Sequence, residues 1–218
     1  MKTIVLLSGG VDSTTALYWA QREHDLVGAL AFQYGSNHAA QELACARYQA
    51  KKLGVAYHEV DIRSISQHLE SALLSGAEAI PKGTYDEANM KQTVVPFRNG
   101  IFLSVAAGIA ESKGAEAVAI AAHAGDHSLY PDCREEYMQA MGQAIELGTY
   151  AKVKILRPFI SMSKGEIVRQ GALLGVDFAH TYSCYCGGAM HCGRCGTCRE
   201  RQEAFRSAGI TDPTHYQL

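Results

Sequence analysis

No segment of this 218-residue chain approaches the 18 or so consecutive apolar residues of a membrane-spanning helix, which removes helical membrane proteins from consideration. Nor is one sign of charge in excess. Twenty Lys and Arg stand against 22 Asp and Glu, so the chain carries no electrostatic footprint for broad nucleic-acid binding, and small-molecule chemistry is favoured. The N-terminus, Met1-Lys2-Thr3, enters a strand without the charged region, apolar core and cleavage site of a secretory signal, and a cytoplasmic location is expected. Internal repeats and low-complexity tracts are also missing. The length suits one sizeable core with a small appendage. Cysteine is not scarce: there are seven, five of them within 184–198, and in a reducing compartment metal explains such a cluster better than disulfides do.

What is present begins with Ile4-Val5-Leu6-Leu7-Ser8-Gly9-Gly10-Val11-Asp12-Ser13-Thr14, an apolar strand that runs through a glycine turn into a helix. Gly9 and Gly10 can take positive φ and let the backbone approach a ligand closely. The helix opened by Asp12, Ser13 and Thr14 points unpaired N–H groups at whatever sits in the turn, which suits a phosphate. The pattern lacks the Gly-Lys-Ser/Thr ending of a Walker A loop, so the usual nucleotide hydrolase reading does not follow. SGGxDS resembles instead the PP-loop of the N-type ATP pyrophosphatases, which split ATP between the α- and β-phosphorus and place AMP on an oxygen of the substrate.

Apolar runs at 4–7, 27–32, 56–60, 118–122 and 153–156 have strand length. They alternate with helical periods near 12–23, 38–53, 98–113, 133–147 and 163–174. This predicts an α/β fold: a doubly wound, mostly parallel sheet with helices on both faces and ligands at the carboxyl ends of the strands. Between Ser75 and Val95 the periodicity fails and Gly76, Pro81 and Gly83 appear, which reads as a long loop, a candidate lid. Cys184, Cys192, Cys195 and Cys198 form a C-x7-C-x2-C-x2-C array threaded with glycines, a set that suits one structural tetrahedral Zn²⁺. Cys186 and His191 are spare candidates, and an iron–sulfur cluster or a redox dithiol is the competing reading. Arg199, Arg201 and Arg206 on the following helix read as a solvated face.

Four further segments, Phe32-Gln33-Tyr34-Gly35 with His38, Val95-Pro96-Phe97-Arg98-Asn99, Gly125-Asp126 with Tyr130-Pro131-Asp132-Cys133-Arg134, and Thr181-Tyr182-Ser183-Cys184-Tyr185, extend the resemblance. Together with the PP-loop they resemble the 7-cyano-7-deazaguanine synthases of queuosine biosynthesis, over nearly the whole chain. Phe97 departs from the pattern, standing where a polar residue is expected. The resemblance implies an adenine nucleotide alpha-hydrolase-like fold, with residues 1–180 as the ATP-binding catalytic domain and 181–218 as a zinc-binding segment packed on it. It makes the cysteine after Thr-aromatic-Ser a zinc ligand, which favours Cys184 over Cys186. It further implies a homodimer and the ATP-dependent conversion of 7-carboxy-7-deazaguanine and ammonia to the nitrile, through adenylated acid and amide. The alternative kept beside it is a PP-loop enzyme that thiolates tRNA.

Under that reading Leu7, Ser8, Gly9, Gly10, Val11, Asp12, Ser13 and Thr14 hold the phosphates of ATP, with Asp12 assigned to Mg²⁺ or loop orientation. Phe32 and Gln33 end a strand where adenine is expected. Arg98, whose planar fork suits the α-phosphate or the substrate carboxylate, and Lys164 are the candidate catalytic cations, and Asn99 shares the helix start with Arg98. A deazaguanine presents a ring N–H and an amine side by side. Asp126, ahead of Asp132, is the candidate to accept both, with Tyr130 stacking on the base. His123 and His127 are read as satisfying loop hydrogen bonds, and Cys133 as a buried cysteine. Lys2 stands where an N-terminal nucleophile glutaminase needs cysteine, so free ammonia is the expected nitrogen donor; no direct nucleic-acid partner is expected.

Overall fold

The computed structural model describes residues 1–74, 92–126 and 130–217, with Asp126 described by its backbone alone. His127 and most of the expected 75–95 loop therefore lie outside the described residues. Within them, strands β1 (Lys2–Leu6), β2 (Asp25–Gln33), β3 (Tyr57–Asp61), β4 (Ala117–Ala119) and β5 (Lys154–Leu156) form one parallel sheet in the order β3-β2-β1-β4-β5. The helices are α1 (Val11–Glu23), α2 (Ala39–Lys52), α3 (Arg63–Ser66), α4 (Arg98–Ser112), α5 (Glu135–Gly148), α6 (Lys164–Leu173) and α7 (Gly196–Ala208). The chain winds outward from β1 to β3, then returns to build β4 and β5 on the other side. The order reverses at β1, the switch point where such sheets bind ligands.

The strands are apolar on both sides because both sides are covered. Ile4 and Leu6 pack under α4 and α5 with Leu103, Ala106, Val118 and Met138. Val5 and Leu7 face the opposite layer with Leu17, Ala46, Ile167 and Phe205, so the last helix joins the same core as the first. Strand β4 is shorter than its apolar run because the ladder ends with Ile120 N–H on the Leu156 carbonyl, freeing Ala121 and Ala122 to line a cleft. Helix α5 begins at Glu135 rather than near 133, since Pro131–Cys133 forms a tight 3-10 turn before it.

Two helix starts aim functional side chains. Ser163 and Glu166 close a capping box ahead of α6: Glu166 Oε2 accepts from Ser163 N at 2.7 Å, and Ser163 Oγ from Glu166 N. This fixes Lys164 at the first helical position. Helix α4 has no such local cap, because the preceding Phe97 is left-handed at φ 53°. Asp132 reaches back across the fold to supply it, its Oδ2 accepting the Asn99 N–H at 2.8 Å.

Candidate active site

A cleft of about 230 Å³ opens over the carboxyl ends of β1, β2 and β4. At one end lies the glycine turn. Ser13 Oγ accepts from Ser8 N at 3.2 Å and sits 2.9 Å from Ser8 Oγ, folding the turn back on the helix, while Thr14 N–H begins the helical ladder on Gly10 O at 3.0 Å. Leu7, Ser8, Gly10, Val11, Asp12 and Ser13 face the cleft. The amides of the first turn of α1 have no acceptor within the helix and are directed there. Gly9 and the fully buried Thr14 sit behind this wall. Of the two glycines Gly9 uses the positive-φ region, at 85°. Its backbone is pressed against α2, so that a Cβ would lie 2.2 Å from the Glu42 carbonyl. Gly10 is extended instead (φ −78°, ψ 170°), the ordinary geometry of a residue preceding a helix.

Asp12 and Lys164 meet here: Asp12 Oδ2 lies 3.5 Å from Lys164 Nζ and 3.8 Å from His123 Nε2. Asp12 Oδ1 is buried with no hydrogen-bond partner among the described residues. Lys164 is shared with Glu200 of α7 at 3.4 Å, a cleft residue that the sequence does not single out.

At the far end Arg98 places its guanidinium over the Tyr34 and Phe102 rings, 5.7 and 6.0 Å from their centroids, with Nη1 3.5 Å from the Tyr34 hydroxyl. Among the described residues no carboxylate lies within 4.0 Å of it. Phe32 reaches the cleft but stacks on Phe102 at 4.3 Å, and Tyr130 also lines the wall. Gln33 turns away, its Oε1 accepting from Gly35 N at 3.0 Å. Asn99 and Asp132 are drawn into mutual support: Asp132 accepts from Asn99 N, and Asn99 Nδ2 donates to Cys133 Sγ at 3.1 Å. Asp132 is buried behind the cleft and does not line it, so the structure places it at the helix start rather than against a ligand. Asp126 closes the 3-10 turn 124–126, and its side chain lies outside the described atoms. Phe97, more than half exposed, lays its ring edge-on to Tyr137.

The C-terminal segment closes the third side. The Sγ atoms of Cys184, Cys192, Cys195 and Cys198 all lie within 4.8 Å of one another. That spacing fits tetrahedral zinc, whose bonds to sulfur of about 2.3 Å put ligands about 3.8 Å apart. The exposed Cys186 falls outside the set, donating to Cys192 Sγ at 3.7 Å, and His191 Nε2 accepts from Ser183 N at 3.0 Å. Hydrogen bonds from the Cys195 and Cys198 thiols outweigh burial and pull the Cys184 thiol strongly towards thiolate, with the Cys192 and Cys186 amides adding to them.

The reading of Arg201 as a solvated cation is overturned. Its side chain is fully buried, with Nε 3.2 Å from both oxygens of Asp212, Nη1 donating to Thr181 Oγ1 at 2.8 Å and Ser183 Oγ at 3.3 Å, and Nη2 to Phe178 O at 3.1 Å. A charge so enclosed is tolerated because every donor face meets an acceptor. Arg199 and Arg206 do stay exposed. Arg201 thereby ties α7 to the stretch 181–185, which supplies Tyr182, Ser183 and Tyr185 to the cleft wall.

Similarity to known proteins agrees with this geometry. The 7-cyano-7-deazaguanine synthase of Porphyromonas gingivalis (strain ATCC 33277) is 49% identical over 215 residues, covering 99% of this chain and 97% of that one. That of Ruegeria pomeroyi is 48% identical over 218 residues, covering 99% and 94%. Among solved structures, NMN synthetase from Francisella tularensis superposes with a TM-score of 0.51 at 13% identity, over 96% of this chain and 78% of that one, a likeness of fold alone. The family model described as queuosine biosynthesis protein QueC matches residues 2–209, and the chain belongs to that family.

Proposed function

We propose that this chain is a 7-cyano-7-deazaguanine synthase, an ATP-dependent ligase that converts 7-carboxy-7-deazaguanine and ammonia to 7-cyano-7-deazaguanine. The observation that carries the reading is one cleft that joins a phosphate-type turn, with Asp12 and Lys164 beside it, to an arginine that has no carboxylate partner among the described residues. A carboxylate is a poor electrophile until its oxygen becomes a leaving group. Arg98 would hold that carboxylate, or the α-phosphate it attacks, as charge develops. The amides of Gly10–Ser13 and the Lys164 ammonium would take the released pyrophosphate. Ammonia then displaces AMP to give the amide, and a second adenylation of the amide oxygen followed by elimination gives the nitrile. The same residues serve both rounds.

The buried Asp12 Oδ1, which has no partner among the described residues, is the oxygen suited to Mg²⁺, which would neutralise the polyphosphate beside a carboxylate. Zinc at the four cysteines would fix the 181–200 wall. Leu7–Thr14 and Phe32 are assigned to ATP, residues 1–180 to catalysis and 181–218 to the metal-binding appendage. Free ammonia, a cytoplasmic location and a homodimer complete the reading. Thiolation of tRNA is not favoured, since Cys133 is engaged by Asn99 and the net charge is near zero.

The test is to incubate zinc-loaded protein with 7-carboxy-7-deazaguanine, MgATP and ammonium and to follow base and nucleotides by mass spectrometry. Nitrile together with AMP and pyrophosphate is expected. A folded sample that yields none of them overturns the reading.

A further inference from the structure

Three carboxylates line the cleft among the described residues: Asp12, Glu42 and Glu200. Asp12 and Glu200 both face Lys164 at the phosphate end. Glu42 stands apart. It rises from the first turn of α2, on a face otherwise made of Ala39, Leu43 and Ala46, and its Oε2 lies 3.5 Å from Nε2 of His38. His38 is itself buried, its ring 5.2 Å from that of Tyr185, and its Nδ1 has no hydrogen-bond partner among the described residues. Burial raises the Glu42 carboxyl above its ordinary value, with the His38 and Arg98 charges opposing the shift. Such a group is costly in an apolar wall unless a ligand supplies donors.

We propose that Glu42 reads the substrate base, its two oxygens accepting the adjacent ring N–H and 2-amino N–H of the deazaguanine, with His38 positioning the carboxylate; this rests on the reaction proposed above. A carboxylate has acceptor capacity on both oxygens and no donor. The guanine-like edge offers two donors side by side, which it matches. Adenine offers a donor beside an acceptor nitrogen, which it repels, so the same residue keeps the second nucleobase in the cleft out of the substrate position. Arg98, across the aromatic cluster of Tyr34 and Phe102, is left to hold the carboxylate end of the base.

The experiment is Glu42→Gln, which keeps the shape and replaces one acceptor by a donor. Base and ATP binding are measured by calorimetry, and turnover is measured on 7-carboxy-7-deazaguanine and on its 2-oxo analogue. The variant is expected to lose about a hundredfold in kcat/KM and in affinity for the 2-amino base. Its affinity for ATP should stay within about twofold and its relative preference should move towards the 2-oxo base, whose edge pairs with an amide. Unchanged discrimination between the two bases overturns the assignment. So does a loss confined to ATP, or loss of ATP and base together, because Glu42 would then be holding the nucleotide or the turn. If wild-type protein binds the base but forms no nitrile, the reaction falls while the binding contrast at Glu42 still stands or fails on its own.

Discussion

The backbone N–H of Tyr182 donates to the carbonyl of Gly9 at 2.9 Å. One bond thus joins the glycine turn to the segment that carries Cys184, two residues on. The four-cysteine cluster is therefore part of the construction of the cleft, and disturbance at the cysteines reaches the glycine turn through Tyr182 and Lys164 through Glu200.

Removing the metal should accordingly weaken nucleotide binding before it unfolds the sheet. Metal analysis is expected to give one zinc per chain. Chelation or Cys184→Ser should lower ATP affinity at least about tenfold, with melting shifted down by many degrees, since structural zinc contributes on the order of 10 kcal/mol in small sites. A metal-free protein that binds ATP as well as the loaded one would break this link.

Gly9 tolerates no side chain for two separate reasons, its φ of 85° and the α2 backbone, whose Glu42 carbonyl would lie 2.2 Å from an added Cβ. Gly54, at φ 67° with nothing nearby, shares only the first. Gly54→Ala should cost about 1–2 kcal/mol. Gly9→Ala should cost at least about 3 kcal/mol and abolish ATP binding. Denaturant titrations of the two variants side by side measure the difference, and equal losses would refute the close approach.

Arg201→Met leaves Asp212 half-buried without its cation and should cost about 3–5 kcal/mol. Burial alone would raise the Asp212 carboxyl, but Arg201, the Tyr216 hydroxyl and the Thr214 backbone hold it below its ordinary value. A carboxyl depressed in the folded state contributes stability above its unfolded pKa of about 3.9 and loses it as pH falls through the lower folded value. The gap between wild type and variant should therefore narrow below about pH 4. A gap constant from pH 7 to pH 3 would show that the pair carries no charge coupling.

Arg98→Lys keeps the charge and loses the fork. A fall of about 10²–10³ in kcat/KM for the base is expected, the scale of removing one preorganised donor to a developing anion, with little change in melting because the lysine stem can cover the same rings. A variant with near-normal turnover would remove Arg98 from the reaction.

Much of the fold and of the site is legible in the sequence because it is local. Strand–helix alternation follows from residues that are neighbours in the chain, and the glycine turn and the cysteine array are each contained within 15 residues or fewer. The errors lie where distant partners decide. Arg201 reads as surface on a polar helix, and it is Phe178, Thr181, Ser183 and Asp212 that make its burial possible. Asp132 looks free to meet a ligand until Asn99, 33 residues away, is seen to need a cap. Glu42 belongs to no motif, and its one signal in the sequence is a single charge on an alanine face.

The most direct test of the account follows the oxygen. 7-Carboxy-7-deazaguanine labelled with ¹⁸O in its carboxylate should yield nitrile and AMP carrying the label, one heavy oxygen in each of two AMP molecules per nitrile, with unlabelled pyrophosphate. Label in inorganic phosphate, or ADP as the nucleotide product, would contradict adenylation and with it the roles given to the glycine turn and Arg98.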